Sequence, residues 1–139
     1  FDDAVITAND EKTRPIFPQS MTADLGEHRL CVGWLVVWNG PGRGISHVIQ
    51  PGSNSIGRAK ADIVLNHGDK GISSEGKLSV EYEPRTNTFA FVNRGSKNVP
   101  LCNGAPVHTS HSLNDGDVMT IGDTELMFVP FCNASRRWQ

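Results

Sequence analysis

The chain has 139 residues, 37% of them hydrophobic, with 13 basic and 15 acidic side chains and a formal charge of −2. That is the length of one ordinary domain, long enough to bury about two-thirds of its unfolded surface. The charge balance offers no basic face for nucleic acid or anionic lipid, so neither is expected as a partner.

Residues 1–29 carry charge, Pro15 and Pro18, and no sustained period of 2 or 3.6, and they read as a tail. The apolar run from Leu30 to Trp38 is too short to span a bilayer, and no basic segment followed by an apolar stretch opens the chain. From residue 30 onward the texture becomes short β-type runs between turn residues, which sets the expected domain at 30–139. Cys31–Trp38 reads as the first strand, and Asn39–Gly44 as a turn-rich connection. Trp34 and Trp38 share one face by their even spacing and are expected in the core. Ser46–Gln50 returns, Pro51-Gly52 turns, and Asn54–Gly57 and Asp62–Leu65 follow as short strands.

Leu78, Val80 and Tyr82 alternate with Ser79, Glu81 and Glu83, the pattern of a half-buried strand. Phe89–Val92 pairs with it across Pro84–Asn87. Asn103-Gly104 is a two-residue hairpin signal between Pro100–Cys102 and Ala105–Val107. Asp117–Ile121, a Gly122-Asp123 turn and Thr124–Val129 complete the set. No segment has an amphipathic helical period, so the expected fold is an all-β antiparallel sandwich of ten to eleven short strands.

Most chemistry-bearing readings of the motifs fail on spacing. Asn39–Gly44 lacks the Lys-Ser/Thr ending of a phosphate-cradling loop, and Gly44-Ile45-Ser46 lacks the second glycine of a nucleophile elbow. Asn114–Asp117 lacks the twelve-residue frame of a calcium loop. His108 and His111 offer two metal ligands, but no neighbouring cysteine or carboxylate cluster completes a site and they read as exposed loop histidines, so no metal or other cofactor is expected. No nucleophile–base–orienter set is present, and the chain does not read as an enzyme. Cys31, Cys102 and Cys132 are odd in number and far apart, which favours reduced thiols and a cytoplasmic location. One disulfide with a spare thiol is the other arrangement this count allows.

Gly57-Arg58 places a guanidinium where one short strand ends, ahead of Asp62-Ile63-Val64-Leu65. Arginine is permanently charged, and its planar fork suits a phosphate. Read with Ile72–Lys77, Ser96-Lys97-Asn98, Asn103-Gly104 and Leu113–Gly122, residues 33–131 resemble the forkhead-associated (FHA) domain in order and spacing. Gly33-Trp34-Leu35-Val36 and Phe128–Cys132 are similar to bacterial members.

The resemblance implies a phosphothreonine-binding signalling adaptor that acts with Ser/Thr kinase or phosphatase partners. Arg58 and either Ser73 or Ser74 would hold the phosphate, and Asn98 the ligand's backbone. Lys77, Ser96 and Lys97 would flank the site, with Lys60 and Arg94 keeping the loops basic. This chain departs from the family pattern in three places. The usual histidine is Lys77, or Gly76 in the register that uses Ser73; the residue after the serine is Ser74 or Glu75; and Asn-Gly-Thr has become Asn98-Val99-Pro100. These departures leave an FHA-like assembly module that binds without phosphate as the alternative. The family's preference for an acidic or aliphatic residue three after phosphothreonine also marks Thr7 (ahead of Asp10) and Thr13 (ahead of Ile16) as candidate tail phosphosites. A phosphorylated tail could then bind its own or a neighbouring FHA face.

Overall fold

The computed structural model describes residues 30–138. Eleven strands follow in order: β1 Gly33–Asn39, β2 Ser46–Ile49, β3 Gly52–Gly57, β4 Ile63–Val64, β5 Leu78–Glu83, β6 Thr88–Asn93, β7 Leu101–Cys102, β8 Ala105–Pro106, β9 Ser110–Leu113, β10 Val118–Ile121 and β11 Thr124–Pro130. They form a six-stranded sheet ordered β2-β1-β11-β10-β7-β8 and a five-stranded sheet ordered β4-β3-β5-β6-β9. Every pairing is antiparallel except β3 with β4, which run parallel through Ile56↔Ile63 and Gly57↔Val64. The all-β sandwich expected from the sequence is thus the observed fold.

Period-2 alternation builds the core between the sheets. Leu35, Val37, Met119, Ile121, Leu126 and Phe128 point inward from one layer, and Ile56, Leu78, Val80, Tyr82, Phe89 and Phe91 from the other. Phe89 is the aromatic hinge of this contact, with its ring centroid 4.7 Å from both Tyr82 and Phe128. Deleting any one of these rings would leave a cavity that the rigid layers close only in part.

The tryptophans do not join that core. Leu35 and Val37 hold the inward parity of β1, so Trp34 and Trp38 face outward, and Trp38 is 56% exposed. Trp34 instead meets the C-terminal segment: its ring stands edge-on to Phe131 at 6.0 Å, and Trp138 stacks on Phe131 at 5.6 Å. The Trp138 indole N–H donates to the Cys31 carbonyl at 2.7 Å. This small aromatic cluster covers the end of the sheet where β1 begins.

One strand was not expected. β9 carries Ser110, His111 and Ser112 exposed and only Leu113 buried, so it shows no alternation to read. It exists because its backbone completes the edge of β6, from Phe89↔Leu113 to Val92↔Ser110. The three cysteines are free thiols, with Cys102 and Cys132 buried.

Candidate functional site

Three loops converge at one end of the sandwich: residues 58–62 between β3 and β4, 65–77 between β4 and β5, and 94–100 between β6 and β7. Backbone hydrogen bonds join the first two. The Arg58 amide donates to the Ser73 carbonyl at 2.9 Å, and the Ala59 and Lys60 amides donate to the Ser74 carbonyl at 3.3 and 3.0 Å. The half-buried Arg58 side chain lies along the second loop, with its Nε donating to the Ile72 carbonyl. Among the described residues this is the hydrogen bond that the Arg58 side chain makes, and a guanidinium carries further N–H donors that suit an anion.

Asn98 brings in the third loop. Its Nδ2 donates to the Gly71 carbonyl at 3.2 Å, one residue from the carbonyl that holds Arg58. Ser96 Oγ donates to the Asn98 carbonyl at 2.9 Å and shapes the turn, while Lys97 and Asn98 are exposed. Ser73 is half-buried and its Oγ accepts the Glu75 amide at 3.3 Å, whereas Ser74 is exposed. Lys77 is exposed, and its carbonyl accepts the Arg94 amide at 2.8 Å. The structure therefore gathers the loops of all seven residues singled out from sequence onto one end, with Arg58 and Asn98 both tied to the 71–72 backbone. Thr7 and Thr13 lie outside the described residues.

Arg94 does not serve this face. Its guanidinium bonds to Glu81 and to Ser79 Oγ, so it belongs to the outer surface of the five-stranded sheet. The Arg94 hydrogen bond is the main reason the Glu81 carboxyl is held below its ordinary value. Lys60 and Lys97 remain exposed beside the site.

Two bracing residues were missed by sequence reasoning. Asp69 is 4% exposed, and its carboxylate accepts from the Gly71 amide at 2.9 Å, the Asp123 amide at 2.8 Å and the Thr124 hydroxyl at 2.6 Å. Burial alone would raise its pKa. The hydrogen bonds from Thr124, Gly71 and Asp123, with the Arg58 charge, outweigh that and hold the carboxyl below its ordinary value. Asn93 anchors the other loop: Oδ1 accepts the Gly95 and Ser96 amides at 3.1 and 2.8 Å, and Nδ2 donates to the Val107 carbonyl at 2.9 Å. The Gly68-Asp69-x-Gly71 and Asn93-Arg94-Gly95 turn spellings were the available signals.

In the register that uses Ser73, the histidine position falls on Gly76, where the backbone leaves no room for a side chain. A Cβ there would lie 2.7 Å from Ser55 Cβ and 3.4 Å from Ala61 Cβ, so the loop closes directly on β3 where a side chain would otherwise stand. The reading of His111 is also corrected. Remote in sequence from any cysteine or carboxylate cluster, it is folded against Cys102 and Asp117, without His108.

The FHA domain family model matches residues 54–122, the stretch that holds Arg58, the serine loop and Asn98. The chain is homologous to FHA domains. Among solved structures, it is similar to the domain in a structural and functional study of phosphothreonine-dependent FHA domain interactions, at 28% identity and a TM-score of 0.61, covering 70% of this chain and 95% of that one. It is also similar to the FhaA FHA domain complexed with the intracellular domain of Rv3910, at 29% identity and a TM-score of 0.59, covering 69% and 98%. A third likeness, at 25% identity and a TM-score of 0.63, is to the FHA domain of an Arabidopsis thaliana hypothetical protein, covering 81% and 96%. Comparison with curated protein sequences gives no significant match. FHA domains are non-catalytic interaction modules.

Proposed function

We propose that the loop end of this FHA domain binds a phosphothreonine peptide and that the protein is a signalling adaptor for a Ser/Thr kinase or phosphatase system. The observation that carries this reading is the hydrogen-bonded junction of Arg58, the 71–74 backbone and Asn98, which sets a guanidinium, a hydroxyl and a carboxamide on one surface. A dianionic phosphate takes charge-assisted bonds from the first two, and an extended peptide backbone pairs with the third. Ser73 is the favoured serine, because its carbonyl is fixed by the Arg58 amide and its side chain is half-buried against the same loop. Affinity in the micromolar range, roughly −8 kcal/mol, is expected from so few charged contacts.

The similarity to domains studied in phosphothreonine-dependent interactions and in complex with an intracellular domain supports a phosphorylated intracellular segment as the partner. The tail extends the same reading: phosphorylation at Thr7 or Thr13 would let it occupy its own or a neighbouring ligand face.

Fluorescence anisotropy against a degenerate phosphothreonine library tests the proposal, with phosphoserine and unphosphorylated libraries as controls. Binding that needs the phosphothreonine and Arg58 supports it. Equal binding of the unphosphorylated library by wild type and Arg58→Ala would replace it with the phosphate-independent assembly module. Exposed Glu75 beside the serine and 44%-exposed Val99 are the features that favour that second reading.

A further inference from the structure

Cys102 on β7, His111 on β9 and Asp117 at the threshold of β10 each place one ligand atom within 4.8 Å of the other two. β7 belongs to the six-stranded sheet and β9 to the five-stranded sheet, so the trio bridges the two layers away from Arg58's own loop. We infer that these three side chains form a binding site for a zinc-class divalent cation, with solvent completing a tetrahedral set.

The donor chemistry selects the metal class. One sulfur, one imidazole nitrogen and one carboxylate oxygen suit zinc and its cobalt surrogate, whereas magnesium and calcium want oxygen alone. The supporting contacts have the arrangement a ligand carboxylate needs. Asp117 Oδ1 accepts from Asn103 Nδ2 at 3.0 Å and Oδ2 accepts from the Asn114 amide at 2.8 Å, leaving each oxygen a further lone pair. Asn103 is itself fixed, since its Oδ1 accepts the Val118 amide at 3.0 Å and its own amide donates to the Val118 carbonyl at 2.8 Å. All three ligands therefore sit on or beside strands, where orientation is set by sheet register through Met119↔Cys102 and Phe91↔His111.

Cys102 is buried. On binding a divalent ion its thiol proton leaves to solvent, and the cation offsets the thiolate and carboxylate charges together. Bound there, the ion would tie the two layers at β7, whose first residue follows Asn98 by three positions. The site would then stiffen the loop that carries Asn98.

The full chain, reduced and stripped of metal, would be titrated with Co(II) and followed by absorption, then back-titrated with Zn(II). One equivalent should bind with a near-ultraviolet thiolate-to-cobalt band and tetrahedral visible bands, both abolished by stoichiometric zinc. His111→Ala should remove the signature while His108→Ala keeps it, and Cys102→Ser should lose the charge-transfer band. Because Cys102 is buried and its substitution could disturb folding, the exposed His111 position makes the decisive variant. Absence of the thiolate band in wild type, or its survival in His111→Ala, would overturn the site.

Discussion

At the scale of single residues, the ligand face depends on how much of each side chain the fold has already used. Arg58 spends one N–H on the Ile72 carbonyl and is oriented by it, and among the described residues no carboxylate forms a salt bridge with it. Arg58→Ala should therefore leave the circular dichroism spectrum and cooperative unfolding in place and cost on the order of 2–5 kcal/mol in phosphopeptide affinity. Arg58→Lys should recover little, because an ammonium cannot reproduce the planar fork. Gly76 gives the opposite kind of expectation. Restoring the family histidine there, Gly76→His, should not strengthen binding: its Cβ would press on Ser55 Cβ at 2.7 Å and lower stability by about 1–3 kcal/mol, visible as a drop in Tm.

At the scale of elements, two connections hold the site and the hairpins in register. Asp69 ties the 65–77 loop to the β10–β11 turn, where Gly122 at φ +60° leaves room for it; a Cβ on Gly122 would stand 2.7 Å from Asp69 Oδ1. Its folded-state pKa is lowered, so its stabilisation is present above the ordinary carboxyl value of 3.8 and is lost as pH falls through the lower folded value. Asp69→Asn should thus cost about 1.5–3 kcal/mol at neutral pH, and urea titrations should show that gap closing below the ordinary carboxyl range. The β7–β8 hairpin turns through Asn103 and Gly104 at φ 51° and 84°. Asn103→Ala loses both the left-handed preference and the bonds to Val118 and Asp117, and should cost roughly 1–2 kcal/mol in chemical denaturation. These turns were legible in advance because glycine and asparagine announce positive φ locally. β9 was not, because an edge strand with three exposed polar residues has no period to display.

At the scale of the whole molecule, the domain boundary and the tail become one question. The first strand begins at Gly33, next to the aromatic cluster of Trp34, Phe131 and Trp138, which fixes the start of the sandwich. A kinase-treated chain phosphorylated at Thr7 or Thr13 should bind a labelled phosphothreonine peptide more weakly than the untreated chain, and trimming to 30–139 should abolish the difference. Equal anisotropy titrations for treated and untreated protein would end the tail hypothesis. Sequence by itself determined the strand periodicity, nearly every turn and the fold class, since alternation and turn chemistry are local properties of the chain, whereas the loops around Arg58 were singled out by the resemblance to the FHA domain. Only the tertiary structure decided that Trp34 and Trp38 face outward, that Arg94 pairs with Glu81, that Asp69 braces the serine loop, and that Cys102, His111 and Asp117 meet. Those outcomes rest on which strands pair and with what parity, a long-range choice made by burying the most apolar surface and not by any short stretch of residues.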